Sequence, residues 1–386
     1  MRIGLMGLAF GSTNKGCEAL GYGFLNVLQE IAKNRNVEFD IDIFQKFDVD
    51  MIYQHGNYDR LKCRSVALPG IGSIQHLKTH IGIYKKDDII FDFTAGDSFS
   101  DIYGMERFVR RTVIKTLAIK SKTPLVLGSQ TYGPFKSFFA KKFAGYVINR
   151  SEKVFARDNL SCERVEQVSK QTAIQTVDVA FAMQSQQTRY DSEKLTVGIN
   201  PSGLLWNEAY NQKNQFSLSV DYQKYCREVI KWLLNAGKYD VVLVPHVISD
   251  DLSEIDNDSV ACKALKKEFP QLIEASFFET PVDAKSFISG LDMFTGARMH
   301  ATIAAFTTAV PVLPFSYSPK FEGLFGSMGY EHIISGRNDS TETAVMKTID
   351  FFEKYNEIKN EMFIYTPVIE EGVKDLIDET DKIIFS

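Results

Sequence analysis

Hydrophobic and polar residues are arranged along the chain in two successive series of the same kind. In the first series, short apolar runs predict strands at Ile3–Leu8, Phe39–Phe44, Asp88–Phe93, Pro124–Gly128 and Val154–Ala156. The second series predicts strands at Leu195–Asn200, Val241–Pro245, Met293–Gly296 and Val310–Leu313. Apolar residues at helical spacing predict intervening helices, of which Tyr222–Leu234 is the clearest. Strands that alternate with helices are typical of the α/β class, in which the strands form parallel sheets.

The polar, glutamine-rich segment Gln184–Lys194 separates the two series and predicts a domain boundary near residue 190. A chain of 386 residues is longer than one hydrophobic core usually serves. We therefore expect an N-terminal Rossmann-like domain over residues 1–190 and a C-terminal one over residues 191–345. Helices over residues 346–386 would cap the second domain or cross back to the first. Ligands bind beyond the carboxyl ends of parallel strands, so two such domains would have their ligand cleft between those ends.

Composition narrows the functional class. The net charge of −5 argues against a nucleic-acid partner. The five cysteines form no Cys-x-x-Cys pair, which disfavours a zinc or redox role and fits a reducing compartment. No apolar run approaches the roughly 18 residues that a membrane span needs. The sequence therefore predicts a cytoplasmic protein and leaves open a peripheral association with the inner face of a membrane.

The segment Gly290–Lys320 carries the clearest candidate chemistry. Arg298 and His300 follow a predicted buried strand and precede a predicted helix, where the helix N-terminus favours bound anions. Side chains two positions apart diverge on a helix, so Arg298 and His300 can converge only if the helix starts near His300. A guanidinium can hold a carboxylate or phosphate bidentately, while a neighbouring imidazole transfers a proton.

Other polar residues also follow predicted strands. His246 would emerge at the end of Val241–Pro245, where it is compatible with ligand binding or with a structural histidine. Asp97 lies in an Asp/Ser-rich loop that could bind sugar hydroxyls or cap a helix. Arg157 could bind an anion or form a surface ion pair with Asp158.

The loop Gly11–Gly16 resembles a phosphate-binding loop but has Cys17 and Glu18 where lysine and serine or threonine are required. It therefore does not predict nucleotide hydrolysis. A glycine-rich turn that opens a helix could still present Asn14 or Glu18 to a sugar, and the alternative is a tight strand-to-helix turn.

A metal site is not predicted. His76 and His80 have the spacing of two ligands on one helical face, but the segment lacks the glutamate of a zinc-protease helix and a third ligand. We interpret both as surface histidines.

Taken together and in this order, several motifs resemble the polysaccharide pyruvyl transferase family. They are Asn14–Ala19, Gly96–Asp97, Gly128–Pro134, Arg157–Ser161, Asp178–Phe181, Val197–Gly203, Val244–His246, and the block from Gly296–Ala301 through Val310–Pro311 to Tyr317–Lys320. The resemblance covers most of the chain. It departs from the usual family pattern at Thr94-Ala95-Gly96, where paired glycines are frequent, and at Met299, where leucine is common.

The resemblance implies a GT-B-like fold, in which two Rossmann-type domains with parallel sheets face a central cleft. It also implies transfer of a pyruvyl group from phosphoenolpyruvate to a sugar of a surface polysaccharide or its precursor, commonly as a ketal. The N-terminal domain would then be the acceptor side and the C-terminal domain the donor side. The acceptor would be a saccharide or a lipid-linked saccharide, and no metal or cofactor is required beside the donor substrate.

We therefore predict that His300 is the catalytic acid and base. The residues predicted to bind the donor are Arg157, Arg298, Lys320 and His246, and those predicted to bind the acceptor are Asn14, Glu18 and Asp97. Two other functions remain open at this point. One is a GT-B glycosyltransferase that uses a nucleotide sugar, and the other is a non-catalytic glycan-binding protein.

Overall fold

A computed structural model describes residues 1–208, 214 and 216–386. Contacts within the chain divide it into two compact units. Unit 1 comprises Met1–Ser12, Cys17–Gln184 and Glu371–Ser386, and unit 2 comprises Thr13–Gly16 and Ser185–Glu370. The main change of unit thus falls at the start of the polar segment, whereas the predicted boundary lay near residue 190.

Unit 1 is built on a parallel sheet with the strand order β3-β2-β1-β4-β5-β6-β7. Its strands are β1 (Arg2–Met6), β2 (Phe39–Ile43), β3 (Leu61–Ser65), β4 (Ile89–Asp92), β5 (Leu125–Gln130), β6 (Lys153–Ala156) and β7 (Ile174–Gln175). The helices of this part of the chain are α1 (Lys15–Arg35), α2 (Asp50–Gln54), α3 (Ile74–Tyr84), α4 (Met105–Ser121), α5 (Phe138–Ile148) and α6 (Asn159–Val168).

Unit 2 repeats this architecture with the strand order β10-β9-β8-β11-β12-β13, again all parallel. Its strands are β8 (Leu195–Asn200), β9 (Tyr239–Leu243), β10 (Ile273–Glu274), β11 (Met293–Gly296), β12 (Val312–Ser316) and β13 (Ile334–Ser335). The helices of this part of the chain are α7 (Gly203–Trp206), α8 (Tyr222–Ala236), α9 (Asp258–Glu268), α10 (Pro281–Ser289), α11 (Met299–Phe306), α12 (Pro319–Ser327), α13 (Thr341–Glu353) and α14 (Tyr355–Ile384). The residues of α14 from Glu371 onward belong to unit 1.

Each sheet reverses its winding direction once, and this reversal is where open parallel sheets bind ligands. In unit 1 it lies between β1 and β4, and in unit 2 between β8 and β11. The central strands have buried side chains on both faces, as in β5, where every residue is buried. The α/β prediction of two Rossmann-like domains with parallel sheets is therefore confirmed.

The strands that the sequence did not predict are β3, β7, β10 and β13. All four are edge strands, and β7, β10 and β13 contain only two residues each. In β3 only Leu61 and Cys63 are buried, so its apolar signal is weak. Short, partly exposed edge strands do not produce the apolar runs on which the prediction depended.

The interpretation of both histidines of α3 as surface residues is wrong for His80. The His80 side chain is buried, with Nε2 2.9 Å from the carbonyl oxygen of Pro69 and Nδ1 3.1 Å from the hydroxyl of Tyr84. These two hydrogen bonds compensate the burial of the ring. His76 is exposed, as predicted.

Candidate functional site

A buried carboxylate, Asp258, joins the loops that follow β8 and β9 in unit 2. Asp258 is the first residue of α9 and is fully buried. Its Oδ2 accepts hydrogen bonds from the backbone N–H groups of His246 and Val247, each at 3.0 Å. Its Oδ1 accepts one from the N–H of Gly203 at 2.8 Å, and Asn200 Nδ2 donates to Oδ2 at 3.3 Å. Asp258 thereby fixes the backbone at the carboxyl edge of this sheet.

Arg298 completes this network from the end of β11. Its backbone N–H donates to Asn200 Oδ1 at 3.0 Å, and its guanidinium donates to Asp258 and Asp256, both at 2.7 Å. Burial alone would lower the pKa of Arg298, but the two carboxylates outweigh burial and raise it. Arg298 is therefore a permanently charged, firmly positioned group. A bound anion could reach it most easily by displacing Asp256, whose side chain is 26% exposed.

His246 is a buried imidazole at the same edge. Its side chain is 2% exposed, and neither ring nitrogen has a hydrogen-bond partner among the described residues. Burial, together with the positive charges of His300, Arg298 and Lys15, lowers the pKa of His246 to about 3. The shift reveals a concentration of positive charge around an imidazole whose hydrogen-bonding capacity is unused within the described chain.

The helix α11 begins at Met299, which meets the condition under which the side chains of Arg298 and His300 can converge. His300 is therefore in the first turn, where the backbone N–H groups have no intrahelical acceptor. Its ring lies against Gly16, because a methyl carbon at Gly16 would be only 2.5 Å from His300 Nδ1. Glycine at this position leaves room for the imidazole.

The segment Thr13–Gly16 supplies a second cation to this site. Lys15 is 4% exposed, its backbone N–H donates to the carbonyl oxygen of His246 at 3.0 Å, and its Nζ donates to the carbonyl oxygen of Glu279 at 2.7 Å. Asn14 Oδ1 accepts a hydrogen bond from the N–H of Gly16 at 3.0 Å. In this structure Asn14 shapes the backbone beside His300, and its predicted contact with the acceptor stays a prediction.

Lys320 is the second residue of α12, the helix that follows β12. Because β12 is parallel to β11 and adjacent to it, Lys320 lies at the same edge of the sheet as Arg298. Its side chain is half-buried. The position is compatible with the predicted contribution of positive charge.

In unit 1, the loop after β4 has an unusual backbone. Thr94, Ala95 and Gly96 all have positive φ, at 43°, 53° and 82°. L-residues with side chains rarely adopt this region. Gly7, at the end of β1, also has a positive φ of 75°, and a methyl carbon there would lie 2.3 Å from the backbone nitrogen of Thr94. The loop is therefore pressed against β1 at the point where the sheet reverses.

A buried lysine on α4, Lys115, is bonded to this loop. Lys115 is 1% exposed, and its Nζ lies 3.0 Å from the carboxylate of Asp92 and donates to Thr94 Oγ1 at 2.5 Å. The same ammonium is 4.5 Å from the centre of the Phe99 ring. Burial lowers the pKa of Lys115, and the charge of Asp92 opposes this effect. The pair links α4 to the strand end that carries the loop.

Arg157 does not form the surface ion pair with Asp158 that was one interpretation of the sequence. It is 3% exposed, pairs with Asp178, and donates from Nε to Thr131 Oγ1 at 2.9 Å. Asp158 instead caps α6 by accepting a hydrogen bond from the N–H of Ser161. Burial favours a lower pKa of Arg157, but Asp178, Asp158 and Asp97 outweigh it and raise the pKa.

The two remaining acceptor candidates lie near these elements of unit 1. Asp97 Oδ2 accepts a hydrogen bond from the hydroxyl of Tyr103 at 2.7 Å, and its charge acts on Arg157. Glu18 is fully buried and accepts a hydrogen bond from the N–H of Gly11 at 2.8 Å. Glu18 thus closes the loop that begins after β1. The contact of both residues with an acceptor sugar stays a prediction.

The structure therefore brings His246, Arg298 and His300 together in unit 2, and Asp97 and Arg157 together in unit 1. The sequence interpretation did not include Asp258, Lys15 or Lys115 among the site residues. Asp258 directly follows Asn257, a residue type that is typical of a helix N-cap, and Lys15 lies within the Asn14–Ala19 motif, so both had a local signal. Among the residues that the structure describes, no group of three or more His, Cys, Asp or Glu side chains could hold a metal ion.

Comparisons with solved structures agree with this architecture. Anabaena HepE in complex with UDP and glucose has 10% sequence identity and a TM-score of 0.61, with 100% of each chain covered. UDP-GlcNAc 2-epimerase from Neisseria meningitidis, bound to UDP-GlcNAc, has 11% identity and a TM-score of 0.57, with 99% of this chain and 100% of that chain covered. At such low identity these similarities establish the fold alone, which is GT-B-like.

Sequence comparisons identify the family. The amylovoran biosynthesis protein AmsJ of Erwinia amylovora is 20% identical over an alignment of 286 residues, with 69% of this chain and 66% of that protein covered. The chain thus spans just under two thirds of the length of this relative. The sequence model of the polysaccharide pyruvyl transferase family matches residues 14–319, from the segment beside His300 to the start of α12. The chain belongs to the polysaccharide pyruvyl transferase family.

Proposed function

We propose that the protein transfers the pyruvyl group of phosphoenolpyruvate to two hydroxyls of a saccharide and forms a cyclic ketal. The acceptor would be a sugar of a surface polysaccharide or its precursor. The observation that carries the proposal is the surroundings of His246, a buried imidazole with unused ring nitrogens close to the charges of Arg298, His300 and Lys15.

Phosphoenolpyruvate matches these surroundings in charge. It carries a carboxylate and a phosphate, and both are stabilised by buried cations and by the N-terminus of a helix. Lys15, His246 and the first turn of α11 would bind these two groups. Lys320 would add positive charge from the neighbouring strand end.

Arg298 contributes charge and position to this site. Because its guanidinium is engaged by Asp258 and Asp256, it holds the start of α11 against the loops after β8 and β9. Contact with the donor would replace the hydrogen bond to the partly exposed Asp256 and leave the one to buried Asp258 in place. Arg157 remains a second predicted donor ligand, with Asp178 as its present partner.

The reaction needs one group that transfers protons near neutral pH, and His300 is the candidate. One acceptor hydroxyl attacks the central carbon of phosphoenolpyruvate and loses its proton, while the methylene carbon gains a proton and becomes a methyl group. The bond to the phosphate oxygen then breaks, and inorganic phosphate leaves. The second hydroxyl bonds to the same carbon and loses its proton, which completes the ketal without any change in oxidation state.

The test is the reaction itself. The purified protein is incubated with phosphoenolpyruvate and saccharides that have neighbouring hydroxyls, and both released phosphate and acceptor mass are measured. The mass of the acceptor should increase by the mass of one pyruvic acid minus that of one water. His300→Ala should lower turnover about 100-fold or more, the usual contribution of a positioned acid or base, with little change in donor affinity. His332→Ala is the matched control, because His332 pairs with Glu361 and is not one of the predicted site residues.

Two outcomes would contradict the proposal. Normal turnover in His300→Ala would remove His300 from the proton-transfer role. HepE is described in complex with UDP and glucose, so a nucleotide sugar is the competing donor. Release of a nucleoside diphosphate, without phosphate release from phosphoenolpyruvate, would identify a glycosyltransferase.

A further inference from the structure

The helix α5 exposes aromatic side chains although it belongs to the core of unit 1. Phe138, Phe139, Phe143 and Tyr146 are 65%, 64%, 45% and 37% exposed, and we call these four residues the α5 aromatic face. The opposite side of the helix, which includes Ala140, Ala144, Val147 and Ile148, is buried in the hydrophobic core. A helix that is apolar on both sides is normally covered on both sides. The α5 aromatic face therefore needs a partner.

Basic residues surround this face. The Lys142 ammonium is 4.6 Å from the centre of the Phe138 ring, and the Arg150 guanidinium is 4.0 Å from that of Tyr146. Residues 136–150 contain three lysines and one arginine but no aspartate or glutamate, although the whole chain has a net charge of −5. The partner should therefore combine an apolar interior with a negatively charged surface.

The exposed apolar surface continues beyond α5. Asp101 accepts hydrogen bonds from the backbone N–H groups of Lys136 and Ser137, each at 2.8 Å, so the turn at Asp101 lies beside the start of α5. The next two residues, Ile102 and Tyr103, are 40% and 38% exposed. These hydrogen bonds stabilise the Asp101 carboxylate, and the four basic residues of segment 136–150 outnumber it.

We propose that the α5 aromatic face docks on the anionic surface of a phospholipid bilayer. The phenyl rings would enter the headgroup region, where aromatic side chains are favoured, and Lys141, Lys142 and Arg150 would contact lipid phosphates. Because Ser137 caps the helix and its inner side is packed in the core, the rings are presented by a rigid element. Little conformational entropy would be lost on binding.

A second exposed apolar group has the opposite electrostatic character. Phe363 and Ile364 of α14 are each 67% exposed. Residues 357–371 around them contain four glutamates and one lysine. An anionic membrane would repel this group, so it provides an internal control of similar exposure.

One consequence rests on the proposed function. The predicted acceptor residue Asp97 lies four residues before Asp101, in a loop that is also tied to the start of α5 by the bond from Ser100 Oγ to the carbonyl oxygen of Pro134. Docking through α5 would bring this loop close to the bilayer. The acceptor would then be a saccharide carried on a lipid.

The docking experiment is independent of any substrate. The full-length protein is sedimented with vesicles of phosphatidylcholine alone, or of phosphatidylcholine and phosphatidylglycerol in equal amounts, at about 0.15 M salt, where the screening length is near 8 Å. We expect binding to the anionic vesicles that weakens as salt is raised. Lys141→Gln with Lys142→Gln should reduce partitioning about 30-fold. Phe138→Ser with Phe139→Ser and Phe143→Ser should abolish it, and Phe363→Ser with Ile364→Ser should not change it.

Failure of the wild-type protein to bind anionic vesicles would overturn the proposal. So would an equal loss of binding in the α14 control variant. Light scattering without lipid provides a further arm, because self-association that disappears in the α5 variant would identify the face as an interface between two copies of the chain. Unchanged midpoints of thermal unfolding verify that the variants fold. Pyruvyl transfer to a soluble saccharide is measured separately, so the two proposals can fail independently.

Discussion

The pH dependence of stability provides a direct test of the buried, neutral state of His246. Its pKa is lowered from 6.5 to about 3 by burial and by the neighbouring cations. The folded protein therefore keeps the imidazole neutral at a pH where the unfolded chain has already bound a proton. The stability from the neutral imidazole is fully present above pH 6.5 and is lost as the pH falls from there towards 3.

The size of the effect follows from the shift. Each pKa unit corresponds to about 1.4 kcal/mol, so His246 should cost the folded state about 2 to 3 kcal/mol at pH 4.5 relative to pH 7. For a domain of this size, 1 kcal/mol changes the midpoint of thermal unfolding by about 2 to 4 °C. His246→Gln keeps a polar group in place but cannot bind a proton. Between pH 7 and pH 4.5, the unfolding midpoint of this variant should therefore fall by about 4 to 12 °C less than that of the wild-type protein.

The assay is thermal unfolding followed by circular dichroism at both pH values for the wild-type protein, His246→Gln and His76→Gln. The last variant removes an exposed imidazole and should follow the wild-type protein. If His246→Gln loses as much stability on acidification as the wild-type protein, His246 is not a buried neutral group. The cationic environment inferred around it would then be wrong.

Three further predictions concern the groups that position the two candidate sites. Asp258→Asn should lower the unfolding free energy by about 3 to 5 kcal/mol, because it breaks a buried ion pair, whereas Asp256→Asn, at a partly exposed position, should cost about 1 kcal/mol or less in the same thermal assay. Gly16→Ala should displace the His300 ring and reduce turnover with phosphoenolpyruvate at least tenfold, and a variant with full activity would show that the contact at 2.5 Å is not maintained. Lys115→Met should destabilise unit 1 by about 3 kcal/mol or more in chemical denaturation, since it leaves a buried carboxylate unpaired, and an unchanged midpoint would contradict the role assigned to this ion pair.

The central strands could be predicted from the sequence because parallel strands buried on both faces are continuous apolar runs. The predicted bounds of β8 and β11 agree with the structure, and both are central strands. The edge strands had no such signal, because β7, β10 and β13 contain two residues each and β3 is half exposed. Their place in the sheet depends on hydrogen bonds to neighbours that are distant in sequence.

The candidate site shows the same division between local and distant information. The position of Arg298 and His300 at the start of a helix depends on adjacent residues, and the sequence predicted it correctly. The partners of Arg298 could not be predicted, since Asp258 lies 40 residues earlier and approaches only because the start of α9 is bonded to the loops after β8 and β9. Lys115 was missed because a lysine in an amphipathic helix is expected on the exposed side. Here its side chain is buried, and the ion pair with Asp92 compensates the burial of its charge.

The most direct test of the proposed donor site is a calorimetric titration of the purified protein with phosphoenolpyruvate. The variants His246→Gln and Arg298→Lys and a parallel titration with UDP-glucose complete the experiment. We predict saturable binding of phosphoenolpyruvate that weakens at least tenfold in both variants, because the first removes the buried neutral imidazole and the second removes the guanidinium that positions the start of α11. UDP-glucose should give no saturable heat. Absence of phosphoenolpyruvate binding, together with tight binding of UDP-glucose, would contradict the assignment of unit 2 as a phosphoenolpyruvate site.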